Sequence, residues 1–207
     1  MFNSRFITEH EMKCLGFKSL GTNILIDESC IINGIENISI GSNVRIDAFT
    51  IINSSNGNLK IGSNVHISNS CSLSCSGNVE LKDFSGLSSG VKIYSASDDY
   101  LGRSMTNPTV PEKYKKVKIG KVILEKHVII GSSSVILPNV TIGEGASVGA
   151  LSLVKDNLEE WSVYAGSPVK KLGKRLKKPL ELEKLFLEEN ELEEYETDLI
   201  NWRKNYG

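Results

Sequence analysis

What this 207-residue chain has little of narrows its reading first. No run of about eighteen apolar residues occurs, so no membrane insertion is expected. The opening MFNSRFITEHEMK has no signal-peptide core, and a cytoplasmic protein is expected. Lysine and arginine number 24 against 25 aspartates and glutamates, for a formal net charge of −1. Nucleic-acid-binding domains usually carry a basic excess, so no nucleic-acid partner is expected. Four cysteines, Cys14, Cys30, Cys71 and Cys75, show neither metal-ligand spacing nor a secreted disulfide framework, which fits a reducing compartment. Histidine is scarce, with His10, His66 and His127 the whole supply. No break in composition marks a second large domain.

What is present is a six-residue beat. From Leu124 the aliphatic positions fall at Leu124, Ile130, Ile136, Ile142, Val148 and Val154. Two residues before each stands a compact side chain: Val122, Val128, Ser134, Val140, Ala146 and Ser152. This period is neither helical nor the two-residue alternation of an ordinary strand, and it points to a solenoid. The beat runs back through Ile26 and Ile32, then Ile40, Ile46 and Ile52, then Ile61, Ile67 and Leu73, then Leu81, Leu87 and Ile93. Each group of three reads as one circuit of a three-sided prism. Turn-formers such as Asn33-Gly34, Ser55-Asn56-Gly57 and Ser76-Gly77-Asn78 fill the corners between circuits. Each short face sends one aliphatic and one small residue inward, and stacked coils bury what no single coil can bury. The expected fold is an all-β solenoid of about five coils. A β-sandwich, the alternative, would have longer and strictly alternating strands.

Residues 1–20 read as an N-terminal helical cap, with Phe6, Met12, Leu15 and Phe17 covering the open end. Residues 21–155 form the β-helix. Within it the beat stops over 95–117, SASDDYLGRSMTNPTVPEKYKKV, and so long a loop in a compact repeat is usually functional. Residues 156–207 form a tail with an amphipathic helix. Its Leu182, Leu185, Phe186, Leu192, Tyr195 and Leu199 can share one face, expected to pack on the solenoid or on another subunit.

The coils, the loop, VILPNVTIGEGASVGALSLV (135–154) and YAGSPVKKL (164–172) resemble the hexapeptide-repeat acyltransferases. The resemblance covers roughly residues 20–175. It points to the galactoside and maltose acetyltransferase branch and its relatives in bacterial surface-polysaccharide (lipopolysaccharide or capsule) synthesis. It implies a left-handed parallel β-helix and a homotrimer with active sites at the subunit clefts. It also implies acetyl-CoA as acyl donor, with a sugar hydroxyl or amine as acceptor. The donor positions that match are Ser132 and Ala150, where small side chains let a ligand approach the backbone. Lys155, Lys170, Lys171, Lys174 and Arg175 supply cations for its phosphates.

The acceptor side departs from that branch. Its loop histidine aligns with Asp98, and this loop holds no histidine. Its polar acceptor-binding positions fall near Ser68, Ser70 and Ser74. Asp98, with Asp99 beside it, can serve as base if like charge in a cleft raises one carboxyl. A free amine needs only a modest proton acceptor, so the missing histidine favours an amino sugar. His66 or His127, at outward positions of the beat, is the alternative base, brought to a neighbour's loop at a subunit cleft. Tyr94, Tyr100, Arg103 and Asn107 are further candidates for contacts to the sugar or nucleotide.

The favoured function is acetyl-CoA-dependent N-acetylation of a nucleotide-linked amino sugar. O-acetylation of a sugar or glycan hydroxyl is the second enzyme reading. A zinc carbonic anhydrase on the same solenoid needs three histidine ligands, and one of the three here lies in the cap, so no metal is expected. A non-catalytic scaffold would need neither the loop nor the basic block after the last coil.

Overall fold

The computed structural model describes residues 5–189, in two units divided after Arg175. Three parallel sheets wrap the first unit. The first face stacks Ser19–Leu20, Ile38–Ile40, Leu59–Ile61, Val79–Leu81, Val122–Leu124 and Val140–Ile142. The second stacks Ile24–Ile26, Val44–Ile46, His66–Ile67, Gly86–Leu87, Ile129–Ile130, Ser147–Val148 and Ser162–Ala165. The third runs from Ile31–Asn33 through Ile51–Asn53, Ser72–Ser74, Lys92–Tyr94 and Val135–Ile136 to Leu153–Val154. The second face thus reaches seven parallel strands, where about five coils were expected. The extra turns lie at the ends, where the beat is imperfect: Leu20 opens it, and Tyr164 replaces an aliphatic residue at the close.

Stacking in register makes the core. Ile26, Ile46, Ile67, Leu87, Ile130 and Val148 form one column behind the second face, each no more than 3 % exposed. Each such side chain contributes about 1.5–3 kcal/mol by leaving water. Before the third face runs a polar column. The Cys30 thiol donates to Asp47 O, the Thr50 hydroxyl to Ser68 O, the Cys71 thiol to Ser88 O and the Ser134 hydroxyl to Gly149 O. Each donor reaches the carbonyl one coil on, so the buried heteroatoms are satisfied and the coils are tied at that corner. Ser85 is the exception. It stands between Val65 and Val128 in an apolar column, and its hydroxyl is the one buried side-chain polar atom without a partner among the described residues.

The corner between the first and second faces needs left-handed backbone at every coil. Asn23, Asn43, Asn64, Phe84, His127, Gly145 and Trp161 occupy it, all with φ between 47° and 64°. Asparagine and glycine enter that region cheaply, whereas an aromatic side chain does so only when something holds it. Here the rings hold one another. Phe84 stacks on His127 at 5.1 Å between centroids, and Trp161 tilts against His127 at 6.1 Å. Gly145 lies between them in the column, and a Cβ on it would sit 2.4 Å from the Trp161 indole.

The excursion leaves the third face after Tyr94 and returns at Lys118. Its limbs close as an antiparallel pair, Ala96–Ser97 against Lys118–Ile119, with a 3-10 turn at Glu112–Tyr114. The N-terminal cap holds a short helix, Glu9–Cys14, begun by a capping box between Thr8 and Glu11. In the second unit a helix covers 178–189, with Leu182, Leu185 and Phe186 exposed. Leu192, Tyr195 and Leu199 lie outside the described residues.

Candidate active site

Two cavities carry the candidate chemistry. The first is a groove of about 280 Å³ along the second face, lined by His66, Ser68, Gly86, Ser88, Ser89, Ile129 and Ser132. Gly86 sets its depth. A Cβ there would meet nothing closer than the His66 carbonyl oxygen at 3.9 Å, and its φ is not left-handed. The fold therefore does not require glycine at this position, although glycine in a strand costs about 0.5–1 kcal/mol. At most other glycines of the coils, by contrast, a Cβ would overlap the next coil's backbone. One wall of the groove is a network. Ser68 Oγ lies 3.0 Å from Ser89 Oγ, which donates to Asn69 Oδ1 at 2.6 Å. The Ser88 hydroxyl has no hydrogen-bond partner among the described residues.

His66 is exposed, as expected of an outward position, and its Nε2 lies 2.8 Å from Asp47 Oδ2. Arg45 Nε donates to the other carboxylate oxygen at 2.6 Å. Partial burial pushes the Asp47 carboxyl up, but His66 and Arg45 outweigh it and hold it below the ordinary aspartate range. Sequence reading missed Asp47. Its signal is the coil length, because Arg45 pairs in register with His66 one coil later.

The second cavity, about 450 Å³, belongs to the excursion loop and is lined by Asp98, Asp99, Tyr100, Leu101, Arg103, Lys116, Val117 and Lys118. Asp98 is half-buried, and its carboxylate has no hydrogen-bond or ion-pair partner among the described residues. Asp99 is different. Its carboxylate accepts from Leu101 N at 3.0 Å, Arg103 N at 2.6 Å and Ser104 Oγ at 3.4 Å. The Leu101 N–H foremost, with Arg103 and Ser104, keeps its carboxyl below the ordinary value against the opposing effect of burial. A like-charge partner with a raised value was expected here. The geometry makes Asp99 the staple that shapes residues 99–104 instead.

Other candidates are also redirected. His127 is not outward: it is 8 % exposed in the aromatic corner and belongs to that stack. Arg175 Nη1 donates to His127 O at 2.8 Å and Gly145 O at 2.9 Å, and burial lowers its guanidinium from the ordinary arginine value. It clamps the same corner. Asn107 accepts from Thr109 N and Oγ1, which fixes a turn. Lys171 pairs with Glu159 at 2.6 Å and Lys155 lies 3.5 Å from Asp156. Lys170 starts the antiparallel strand Lys170–Lys174 and is exposed. Tyr94 ends its strand half-buried, and Tyr100 is 90 % exposed at the mouth of the loop cavity.

Ser132 and Ala150 stand on successive coils, linked by Leu151 N donating to Ser132 O at 2.8 Å. Gly131 beside Ser132 would, with a Cβ, strike Ala150 N at 2.5 Å. A smooth, small-residue corner beside a groove with an open notch at Gly86 fits a thin, extended donor arm.

Known proteins match this arrangement. The bacterial transferase hexapeptide (six repeats) model matches residues 121–156. The dTDP-4-amino-4,6-dideoxy-D-glucose acyltransferase of Escherichia coli is 42 % identical over 87 % of this chain and 94 % of its own. AntD, an N-acyltransferase from Bacillus cereus solved in complex with dTDP and 3-hydroxybutyryl-CoA, superposes with a TM-score of 0.88. It is 45 % identical, across 91 % of this chain and all of that one. AntD has also been solved with dTDP-4-amino-4,6-dideoxyglucose and coenzyme A, and as variants at a serine and at an aspartate ten positions further on. The lipopolysaccharide-biosynthesis protein WbbJ of Escherichia coli K12, a putative O-acetyl transferase by name, is 28 % identical over 69 % of this chain and 71 % of its own. With identity of this order carried through nearly the full length of the E. coli and B. cereus proteins, the chain belongs to the hexapeptide-repeat acyltransferases.

Proposed function

We propose that the protein transfers a short acyl group from acyl-CoA to the amino group of a nucleotide-linked amino sugar, with Asp98 as proton acceptor. The observation that carries the reading is the Asp98 carboxylate: half-buried, lining a cavity, and without a partner among the described residues. Such a group is available to hold a substrate ammonium and then to take its proton. The relatives support the substrate class, since AntD has been solved with dTDP-4-amino-4,6-dideoxyglucose and coenzyme A. They also support the residues. Ser88 and Asp98 stand ten positions apart, the spacing of the AntD variants. Ser89 and Asp99 share that spacing, but Ser89 is bonded to Asn69 and Asp99 to its loop, whereas Ser88 and Asp98 are open.

The thioester supplies an activated carbonyl carbon. The acceptor's amine attacks it, the N–C bond forms as the C–S bond breaks, and the amine's proton passes to Asp98 and on to the departing thiolate. In this reading Ser88 donates to the carbonyl oxygen as it gains charge. Ser132 and Ala150 border the donor's path, and exposed Lys170 supplies a cation for its phosphates. Ser88 and Asp98 line separate cavities of one protomer, so we infer a homotrimer in which one subunit's loop meets the next subunit's groove. Exposed Ile31, Phe49 and Ile51, on neighbouring coils, give the apolar surface such an assembly buries.

Hydroxyl transfer is the second reading, favoured by one observation: His66 lines the donor groove and is paired with Asp47, as a base for a weaker nucleophile would be. Kinetics separates the two. Asp98→Asn is expected to lower kcat at least tenfold with acetyl-CoA affinity nearly intact, and His66→Gln to change kcat less than threefold. The reverse pattern removes Asp98 from the mechanism.

A further inference from the structure

The loop cavity is bipolar, and its cations have no role in the acyl-transfer step itself. Beside Asp98 it presents Arg103, Lys116 and Lys118, and none of these cations has an ion-pair partner among the described residues. The contrast within the same loop is sharp, because neighbouring Lys115 pairs with Glu112 at 2.6 Å. Resting on the reading above, we propose that Arg103, Lys116 and Lys118 form the seat for the diphosphate of the nucleotide-linked acceptor, and so decide that the enzyme takes a nucleotide sugar rather than a free one.

The arrangement is built rather than incidental to a basic loop. The Asp99 carboxylate receives Arg103 N at 2.6 Å, which fixes the backbone from which the guanidinium departs. Lys116 and Lys118 are two apart on the returning limb, and both line the cavity. That limb is held by Ser97 pairing with Lys118, and by a bridge between Met105 and Lys115. Val117 between the lysines lines the cavity too, and all three cations are exposed, within reach of an incoming anion. Three cations and one free carboxylate in a single cavity match an acceptor with an anionic diphosphate at one end and an ammonium at the other. A nucleotide-linked sugar without the amine would leave Asp98 without its counter-charge, and a free amino sugar would leave the three cations without theirs.

The test is calorimetric titration of the full chain with dTDP, thymidine and coenzyme A. The variants are Arg103→Gln, the double change Lys116→Gln with Lys118→Gln, and Lys13→Gln as a charge-matched control on the N-terminal helix. Expected is at least a tenfold rise in the dTDP Kd for the double variant, a smaller rise for Arg103→Gln, and none for Lys13→Gln. The salt dependence of dTDP binding is expected to flatten in the double variant, while coenzyme A binding stays unchanged. Unchanged dTDP affinity in both cavity variants, with the wild type binding dTDP, overturns the diphosphate seat and leaves the acyl-transfer reading standing. Equal losses for dTDP and coenzyme A overturn it as well, by showing a general effect on the fold. No dTDP binding by the wild type overturns the nucleotide-linked acceptor itself.

Discussion

Replacing Gly145 by alanine concentrates several physical costs at one corner. Gly145 sits at φ +64°, where any side chain meets its own carbonyl at a cost of about 1–2 kcal/mol. The new Cβ would stand 2.4, 2.5 and 2.6 Å from three indole carbons of Trp161, well inside contact distance. The indole must move by about an ångström, and overpacking of that size costs about 1–3 kcal/mol. It has little freedom to move, since Trp161 is 5 % exposed, its carbonyl accepts from Arg175 N at 2.8 Å, and its ring leans on His127. The expected loss is therefore about 2–5 kcal/mol. In a solenoid each coil contacts only its neighbours, so the loss should fall first on the last coils. Urea unfolding followed by tryptophan fluorescence reads it, in a Trp202→Phe background that leaves Trp161 as the reporter. A separate, earlier Trp161 transition is expected, ahead of the loss of the main β signal by circular dichroism. Weaker coenzyme A binding is expected too, because Ser132 and Ala150 lie on those coils. A shift under about 1 kcal/mol would refute the argument that the ring stack holds this corner.

Ser85→Ala is expected to stabilise the protein by about 1 kcal/mol and to raise Tm by about 2–4 °C, since it removes a buried hydroxyl without a partner. A loss in differential scanning calorimetry would mean that the hydroxyl is bonded after all. Burial pushes the Cys71 thiol up to about 11 and the Cys75 thiol up to about 12, so both stay protonated at pH 8. With an aromatic disulfide reagent at that pH, exposed Cys14 should react quickly and half-buried Cys30 more slowly, with two thiols appearing only on unfolding. Rapid reaction of four would contradict the burial. Asp99→Ala should free residues 99–104 and raise the acceptor KM several-fold with less effect on kcat. An equal fall in kcat and kcat/KM would mean that Asp99 touches the reacting atoms.

The periodic part of this fold was legible because its physics is periodic. A face that must bury one aliphatic and one small residue per rung writes that demand at Leu124, Ile130 and Ile136, and the structure returns those residues fully buried. Asn23, Asn43 and Asn64 hold the corner between the first and second faces cheaply, since asparagine tolerates left-handed backbone. Phe84, His127 and Trp161 occupy the same corner on the strength of each other's rings, and no single position carries that information. His127 was misplaced as outward for that reason. Arg175 looked like a phosphate ligand because its neighbours are lysines, yet its role is to donate to carbonyls 30 and 48 residues away in sequence. Asp98 and Asp99 are alike as letters. Only the turn made by Leu101 and Arg103 shows that one is occupied and the other open.

The most direct test of the account is thiol release from acetyl-CoA and 3-hydroxybutyryl-CoA by the purified protein. Each donor is offered dTDP-4-amino-4,6-dideoxyglucose, or the matching dTDP sugar with a hydroxyl in place of the amine. Release with the amino sugar and none above background with the hydroxyl sugar is the predicted result, and it should fall at least tenfold in Asp98→Asn. Release with the hydroxyl sugar at a comparable rate, undiminished in Asp98→Asn, would contradict it.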